Sequence, residues 1–271
     1  MNTLQNLHTH TTYCDGKNTP EEMLLAACEK GFGSIGFSGH SYTWYYLGAC
    51  MSPEGTLEYR QEIARLKEKY ADQIEVFCGL EFDMNSTTDK EGYDYLIGSV
   101  HYIPVQDKLV GFDRSAAVVK DVIEQYFHGD SMAYAKAYYK TLATLPEYGD
   151  FDIIGHFDLI TKHKEREHFF DTDSREYQRA AIEAAEALSG KIPYFEVNTG
   201  AIARGYRTSP YPDPVIIREM KRLGFGAVIS SDCHNSKDLD CGFSLARRLL
   251  KDCGFKEHYL LTADGFVPAE L

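Results

Sequence analysis

Histidines and carboxylates recur at the ends of short apolar runs along this chain of 271 residues. The residues that share this position are His8, His10, Asp15, His40, Glu81, His101, His156, Asp158, Glu196, Asp232 and His234. Imidazole and carboxylate ligands without a thiolate suit Zn²⁺, Mn²⁺ or Fe²⁺. Because about nine ligands are too many for one ion, the sequence predicts two or three divalent metal ions.

Such a cluster of ions has a definite chemistry. Clustered divalent ions lower the pKa of a bridging water, so that hydroxide forms near neutral pH. The same ions stabilise charge that develops on phosphoryl oxygens during transfer. The pattern therefore predicts a metal-dependent hydrolase. The ligands alone do not choose between phosphate esters, carboxylic esters and amides.

The elements that must position these residues alternate along the chain. The predicted strands are LQNLH, SIGFSGH, IEVFCGLEF, YLIGSVHYI, DIIGHFD, YFEVN and AVISSDCH. One predicted helix begins at Pro20 behind an N-cap at Thr19, and the others lie near 54–71, 115–127, 131–145, 174–189, 213–223 and 238–252. This alternation predicts a parallel α/β architecture, either an open sheet or a barrel. The stretch 104–150 carries two helices and no strand pattern, so we expect a single domain over 1–271.

A barrel explains how residues far apart in sequence can meet. The carboxyl ends of all strands in an α/β barrel converge on one face, which holds the active site. Side chains two residues apart on a strand point to the same side. His8 and His10 are therefore expected to face one site, and so are Asp232 and His234.

Composition excludes several other classes of protein. The net charge of −13 at pH 7 argues against a diffuse basic surface that binds nucleic acid or an anionic membrane. We find no signal peptide and no apolar run long enough to span a bilayer. Seven scattered cysteines without a C-x-x-C pair favour reduced thiols and a cytoplasmic protein.

The ordered motifs H-x-H, D-G, G-H, G-L-E, S-V-H, G-H-F-D and S-D-C-H closely resemble those of the PHP (polymerase and histidinol phosphatase) family. The resemblance covers essentially the whole chain. It implies a distorted seven-stranded, TIM-like (β/α)7 barrel with a trinuclear metal centre. The implied ligand sets are His8, His10, Glu81 and Asp232 for one ion, Glu81, His101 and His156 for the second, and Asp15, His40 and His234 for the third. Glu81 would then bridge two ions.

Two basic loops at the ligand-bearing end favour a phosphate substrate. DLITKHKER carries Lys162, and NTGAIARGYRTSPYP carries Arg204 and Arg207. Arginine forks match phosphate oxygens better than a point ammonium does, so Arg204 is the preferred anchor, followed by Arg207 and then Lys162.

The second loop and the absence of extra domains look most like the histidinol phosphatases of the family. This resemblance implies hydrolysis of L-histidinol phosphate, a small phosphate monoester of histidine biosynthesis, by a metal-bridging hydroxide. Glu196 and Asn198 would contact the substrate amino group or imidazole, or would orient metal ligands. Asp158, Asp232 and His234 are all candidates for the general acid.

Three alternatives remain open at this point. The chain could be a PHP phosphoesterase that acts on nucleotides or phosphotyrosine. It could be a non-catalytic, regulatory PHP module, although such modules lose ligands and this chain keeps nine candidates. The third alternative is an amidohydrolase without a phosphate substrate, which the basic loops disfavour.

Overall fold

The computed structural model of the chain describes residues 4–45 and 48–271. Its strands are β1 (Gln5–Asn6), β2 (Ser34–Phe37), β3 (Glu75–Asp83), β4 (Tyr95–Ser99), β5 (Tyr102–Val105), β6 (Lys108–Gly111), β7 (Ile153–Ile154), β8 (Tyr194–Asn198), β9 (Gly226–Ser230), β10 (Glu257–Thr262) and β11 (Gly265–Glu270). Its α-helices are α1 (Pro20–Glu29), α2 (Pro53–Lys69), α3 (Ala116–Phe127), α4 (Ser131–Leu142), α5 (Arg175–Leu188), α6 (Gly200–Ala203), α7 (Pro214–Arg222) and α8 (Phe243–Asp252). In the part of the chain that the structure describes, no helix has the length and apolar character needed to cross a membrane.

The seven predicted strand regions form one parallel sheet. The strand order is β1-β2-β3-β4-β7-β8-β9. The two edges of this sheet meet, because His10 N donates to Cys233 O at 2.9 Å and Cys233 N donates to His8 O at 3.3 Å. The sheet is therefore a nearly closed barrel with helices around it. The predicted distorted (β/α)7 TIM-like barrel is confirmed.

Helix α1 begins where the sequence predicts. Thr19 is its N-cap and Pro20 its first residue, and the Thr19 side chain accepts a hydrogen bond from Glu22 N. The Glu22 carboxylate accepts from Thr19 N in return, at 2.8 Å. This capping box satisfies two backbone donors that the first turn would otherwise leave free.

Two antiparallel hairpins differ from the predicted arrangement. Strands β5 and β6 pair within a stretch that was expected to carry no strands, and the single strand predicted over 95–103 is divided between β4 and β5. The hairpin turn contains Gln106 at a φ of 54°, with no Asn-Gly or Asp-Gly signal to reveal it. Strands β10 and β11, which the sequence analysis does not predict, form the second hairpin at the end of the chain.

The barrel has an apolar interior below the ligand-bearing end. Residues Phe77, Gly79 and Glu81 alternate along β3 and so share one face. The apolar cluster on this face consists of Leu7, Phe77, Tyr95, Ile97, Ile153, Val228 and Leu261. Leu261 belongs to the C-terminal hairpin, and the side chain of Gln5 pairs with its backbone N–H and C=O, both at 2.8 Å. The hairpin thus closes the amino-terminal end of the barrel.

Tyr95 fills the space that two glycines leave in this interior. Its hydroxyl donates to Leu7 O and lies 3.2 Å from Phe37 O. A Cβ atom at Gly79 would overlap the Tyr95 ring, and one at Gly36 would meet the Tyr95 hydroxyl. Because an aromatic ring in a filled core cannot give way, these strands require glycine at both positions.

We expect Gly79→Ala to destabilise the protein by roughly 1–3 kcal/mol, because overpacking forces a buried ring or the backbone to move. Urea unfolding, followed by circular dichroism, measures this change. Gly48→Ala is the matched control, since a Cβ there meets no atom of the described residues within 4 Å. Equal stability of the two variants would contradict the packing argument.

Candidate metal centre

Glu81 lies at the middle of the ligand cluster, at the carboxyl end of β3. Its Oε1 atom is 2.9 Å from His156 Nε2 and 3.4 Å from His101 Nε2. Its Oε2 atom is 2.9 Å from His40 Nδ1 and 3.2 Å from His8 Nε2. The side chain is only 1% exposed. One carboxylate thus presents its two oxygens to two separate sets of imidazoles.

Asp232 joins the H-x-H pair of the first strand. Its Oδ1 atom lies 3.2 Å from His10 Nε2 and 3.8 Å from His8 Nε2. Asp232 follows β9 and adopts a φ of 47°. A non-glycine residue in this left-handed region is strained, and such strain is concentrated at functional sites. The unusual backbone directs the carboxylate toward the pair of histidines.

Asp15 gathers a third set of imidazoles at the rim. Its Oδ1 atom is 3.2 Å from His234 Nε2, 3.6 Å from His10 Nδ1 and 3.8 Å from His40 Nε2. The Asp15 side chain is about one third exposed, at 30%. This set therefore lies closer to solvent than the sets around Glu81 and Asp232.

The described residues form three groups whose ligand atoms lie close enough to hold a metal ion. They are His8, His10 and Asp232, then His40, Glu81 and His101, and finally His10, Asp15, His40 and His234. All nine predicted ligands are thus brought together, since His156 contacts Glu81 directly. These groups differ from the ligand sets that the family resemblance implies. His10 and His40 each belong to two of the three groups.

Unsatisfied atoms at the centre test whether metal ions fit. His8 Nε2, His10 Nε2 and Glu81 Oε2 are buried without a hydrogen-bond partner among the described residues. Buried polar atoms are normally hydrogen-bonded. These atoms converge in the cluster, and imidazole nitrogens and carboxylate oxygens are ligand atoms that suit a divalent cation. The residues present therefore fit a multi-metal centre.

The histidines cannot all carry a proton. The ring centroids of His10 and His234 are 4.1 Å apart, and those of His10 and His40 are 4.4 Å apart. Burial, together with charge repulsion from the neighbouring His234 and His40, lowers the pKa of His10 to about 3. His10 is therefore neutral at physiological pH and offers a lone pair, as a metal ligand must.

The carboxylates of the centre stay ionised despite their burial. Burial by itself would raise the pKa of Glu81, but His40, His8 and His101 together hold it well below its usual range. Burial opposes ionisation of Asp232 in the same way, and Arg204 and the histidines again outweigh it. Both groups therefore bring negative charge to the centre at neutral pH.

Glu196 lies beneath the ligands instead of facing the cavity. It is fully buried, and its Oε2 atom lies 2.9 Å from His8 Nδ1. Its Oε1 atom accepts from His156 N at 2.6 Å and from Asn198 Nδ2 at 2.8 Å. A carboxylate on the far nitrogen fixes the tautomer and orientation of a ligating imidazole. The predicted substrate contact of Glu196 and Asn198 is not what the geometry provides, because both are enclosed by the barrel.

Asp83 has the corresponding position behind His101 and was not predicted. Its Oδ2 atom lies 3.2 Å from His101 Nδ1, and its Oδ1 atom accepts from the Tyr45 hydroxyl at 2.6 Å. Asp83 is two residues beyond Glu81 on β3, so the two carboxylates share a face. The E-x-D spacing at a strand end was the available signal.

The ligands open into a cavity of about 410 Å³. Its wall includes Asp15, His40, Ser41, Thr43, Cys50, Glu81, Asp83, His101, Tyr102, Asp113, Arg114, His156, Leu159, Lys162, Arg204, Asp232 and His234. Five carboxylates on this wall outnumber its three lysine and arginine side chains, and four histidines accompany them.

The predicted phosphate anchors have different surroundings. Arg204 lines the cavity and donates to Asp232 Oδ2 at 3.0 Å, and its Nη1 lies 3.1 Å from His234 Nδ1. Lys162 also lines the cavity. Arg207 is only 3% exposed and donates to Thr161 Oγ1 and, at 3.3 Å, to the Pro210 carbonyl. The structure does not bring Arg207 to the cavity, because its guanidinium is used to hold its own loop.

Asp158 is also absent from the cavity wall. It is fully buried, and its Oδ2 atom accepts from Asp213 N at 3.0 Å. Burial raises the pKa of Asp158 to about 6, against the opposing effect of Arg207. The candidate role as general acid does not suit this position, which lacks access to a substrate.

Comparison with known proteins gives one consistent result. The PHP domain family matches residues 6–200. A Deinococcus radiodurans protein named "Probable histidinol-phosphatase" is 28% identical over 268 residues, which cover 94% of this chain and 95% of the relative. The histidinol-phosphatase of Lactococcus lactis is 25% identical over 268 residues, covering 95% of this chain and 93% of the relative.

A solved structure gives the same result for the fold. The histidinol phosphate phosphatase of Lactococcus lactis, crystallised with Zn, L-histidinol and phosphate, has a TM-score of 0.71 to this chain. The alignment covers 98% of this chain and 100% of the other at 20% identity. The likeness establishes a shared fold.

We expect Glu81→Gln to weaken metal binding by more than about a hundredfold, because loss of even an indirect partner of a ligand costs roughly ten- to hundredfold. Elemental analysis after dialysis measures bound metal, with two or three equivalents expected in the unmodified protein. Lys162→Ala should leave the metal content unchanged. Glu75→Gln, at an exposed position of the same strand, is the matched control. Full metal content in Glu81→Gln would contradict a central ligand role.

Proposed function

The chain belongs to the PHP domain family, and from this premise we propose that it is a metal-dependent phosphatase that hydrolyses L-histidinol phosphate to L-histidinol and phosphate. The single observation that carries the proposal is the Glu81-centred cluster, which opens into a cavity that also holds Arg204 and Lys162. The full-length similarity to two proteins named as histidinol-phosphatases supports the choice of substrate.

The candidate ligands are His8, His10, Asp15, His40, Glu81, His101, His156, Asp232 and His234. Divalent ions held there would supply Lewis acidity and an activated water. The ligand types suit Zn, Mn or Fe, and the zinc in the Lactococcus lactis complex supports zinc among these. The cations would also offset the negative charge of the carboxylates on the cavity wall, which favours entry of a phosphate dianion.

Residues around the cluster have separate tasks in this proposal. Glu196 and Asp83 orient His8 and His101 from behind. Arg204 is positioned by Asp232 and by His234, and its side chain is 29% exposed toward the cavity. A guanidinium held in this way can donate to a phosphoryl oxygen without a large loss of side-chain entropy. Of the general-acid candidates, Asp232 and His234 line the cavity.

Composition supports a cytoplasmic setting for the proposed function. The seven cysteines are all free thiols in the structure, which supports a reducing cytoplasm as the location of the protein. The net charge of −13 supports a small-molecule substrate rather than a nucleic acid.

We expect the purified protein to hydrolyse L-histidinol phosphate with a kcat/KM about a hundredfold above that for nucleoside monophosphates or phosphotyrosine, since a site built for polar groups of its substrate rejects analogues strongly. The rate of phosphate release measures hydrolysis of all three kinds of ester. Dialysis against a chelator should abolish turnover, and divalent metal should restore it. A preference for either other ester would replace this proposal with the corresponding alternative, and no turnover with any ester would favour the regulatory module.

We expect Arg204→Ala to lower kcat/KM by about ten- to hundredfold, because a charge-assisted contact to phosphate is lost. Arg204→Lys should recover part of this loss, since it keeps the charge but not the fork. Arg166→Ala is the control, because Arg166 is exposed and donates to Gly205 O outside the cavity. The assays use saturating metal, since Arg204 also contacts Asp232. An unchanged kcat/KM in Arg204→Ala would remove Arg204 as the anchor.

A further inference from the structure

One wall of the cavity comes from the hairpin that the sequence did not reveal. Tyr102 begins β5, and Asp113 and Arg114 follow β6. All three line the cavity. These residues lie outside the ligand cluster, on the wall of the same cavity.

Asp113 differs from the other carboxylates of the cavity wall. Asp15, Glu81 and Asp232 lie against imidazoles of the ligand cluster. Asp83 is engaged by His101 and Tyr45. Asp113 has no imidazole within ion-pair distance among the described residues, and its one cationic neighbour at that distance is Lys162.

The contact with Lys162 leaves most of the Asp113 carboxylate free. Lys162 Nζ donates at 2.8 Å to the main-chain carbonyl of Asp113, and it lies 3.5 Å from Oδ2. The ammonium is also stacked over the Tyr206 ring at 5.3 Å. Lys162 is therefore held mainly by the backbone and the ring. An ionised carboxylate offers about four acceptor positions, and the Asp113 side chain is 31% exposed.

The Asp113 carboxyl group remains ionised in these surroundings. Burial would raise the pKa of the carboxyl, but Lys162 and then His101 and His156 lower it below its usual value. Asp113 is therefore an anion at neutral pH and not a proton donor. Asp113 lines the same cavity as His101 and His156, which both lie against Glu81.

A matching cation is present in the proposed substrate. L-histidinol phosphate is the phosphate ester of an amino alcohol, and its ammonium group stands on the carbon next to the ester CH₂. The imidazole has a reference pKa of about 6.5 and is mostly neutral at physiological pH. The ammonium is thus the permanent positive charge of the leaving alcohol, and it lies close to the phosphate.

We propose that Asp113 is the specificity-determining residue that binds the ammonium group of the leaving amino alcohol. This inference rests on the proposed function and names the part of the cavity that would recognise the substrate beyond its phosphate. The carboxylate attracts a cationic leaving group and repels an anionic one, so the hairpin selects among phosphate esters that the metal centre treats alike.

The test combines one substitution in the protein with one change in the substrate. The two substrates are L-histidinol phosphate and 3-(imidazol-4-yl)propyl phosphate, which lacks only the amino group. The variant is Asp113→Asn, which keeps the shape and removes the charge. Asp107→Asn, at an exposed position of the same hairpin, is the matched control. Lys162→Met separates an effect of Asp113 on the ammonium from an effect through Lys162.

We expect the unmodified protein to favour the amino ester by about ten- to hundredfold in kcat/KM, mainly through KM. Asp113→Asn should lose this preference and keep the turnover of the amine-free ester within about threefold, and Asp107→Asn and Lys162→Met should retain the preference. L-Histidinol should also inhibit Asp113→Asn less strongly than the unmodified protein, which gives a readout independent of turnover.

The outcomes separate the two proposals. If Asp113→Asn keeps the preference for the amino ester, or lowers kcat/KM equally for both esters, the inference is wrong and the proposed phosphatase activity still stands. If the unmodified protein hydrolyses both esters equally well, ammonium recognition is wrong and the activity again stands. If it hydrolyses neither ester with metal bound, both proposals fail.

Discussion

The buried carboxylate of Glu81 has imidazole nitrogens of five histidines within 3.5 Å of its two oxygens. An isolated buried carboxylate is costly, and so is a packed group of protonated histidines. Each is tolerable here only because the other is present and because unprotonated nitrogens can share cations. The rest of the site is arranged around this balance, with Glu196 and Asp83 behind the rings and Arg204 beside Asp232.

The interior of the barrel changes from polar at the ligand cluster to apolar below it. Below Glu81 the same face of β3 carries Gly79 and Phe77, and the ring of Tyr95 occupies the volume that Gly79 leaves. The C-terminal hairpin closes the far end through Gln5. Packing of the described residues therefore excludes water from below, and the polar cluster opens to solvent through the cavity. This one-sided access lets charge on the cavity wall control which substrates reach the ligands.

Basic residues near the site divide into those that hold the protein and those that face the cavity. Arg207 is enclosed, with the Tyr211 ring 4.6 Å from its guanidinium carbon, and it ties its loop to Thr161. Arg204 lies three residues earlier and faces the cavity. The two arginines are alike as residue types, but helix α6 ends at Ala203, and Gly205 at a φ of 68° lies between them, so that they face different surroundings. Only a charge with access to the cavity can contribute to phosphate recognition.

The sequence alone predicted seven strands and the nine candidate ligands, because local patterns mark both, whereas the choice of a barrel over an open sheet came from the resemblance to the PHP family. Apolar runs predict strands, and the period of two along a strand predicts that His8 and His10 face the same site. Relationships that depend on distant contacts were decided by the tertiary structure. These include the enclosure of Glu196, Asn198, Asp158 and Arg207, and the support that Asp83 gives to His101. The hairpin that carries Asp113 to the cavity is another, since its turn at Gln106 has no sequence signal. The physical reason is that residue type and spacing determine which way a side chain leaves its strand, whereas burial and partners depend on what other segments of the chain bring against it.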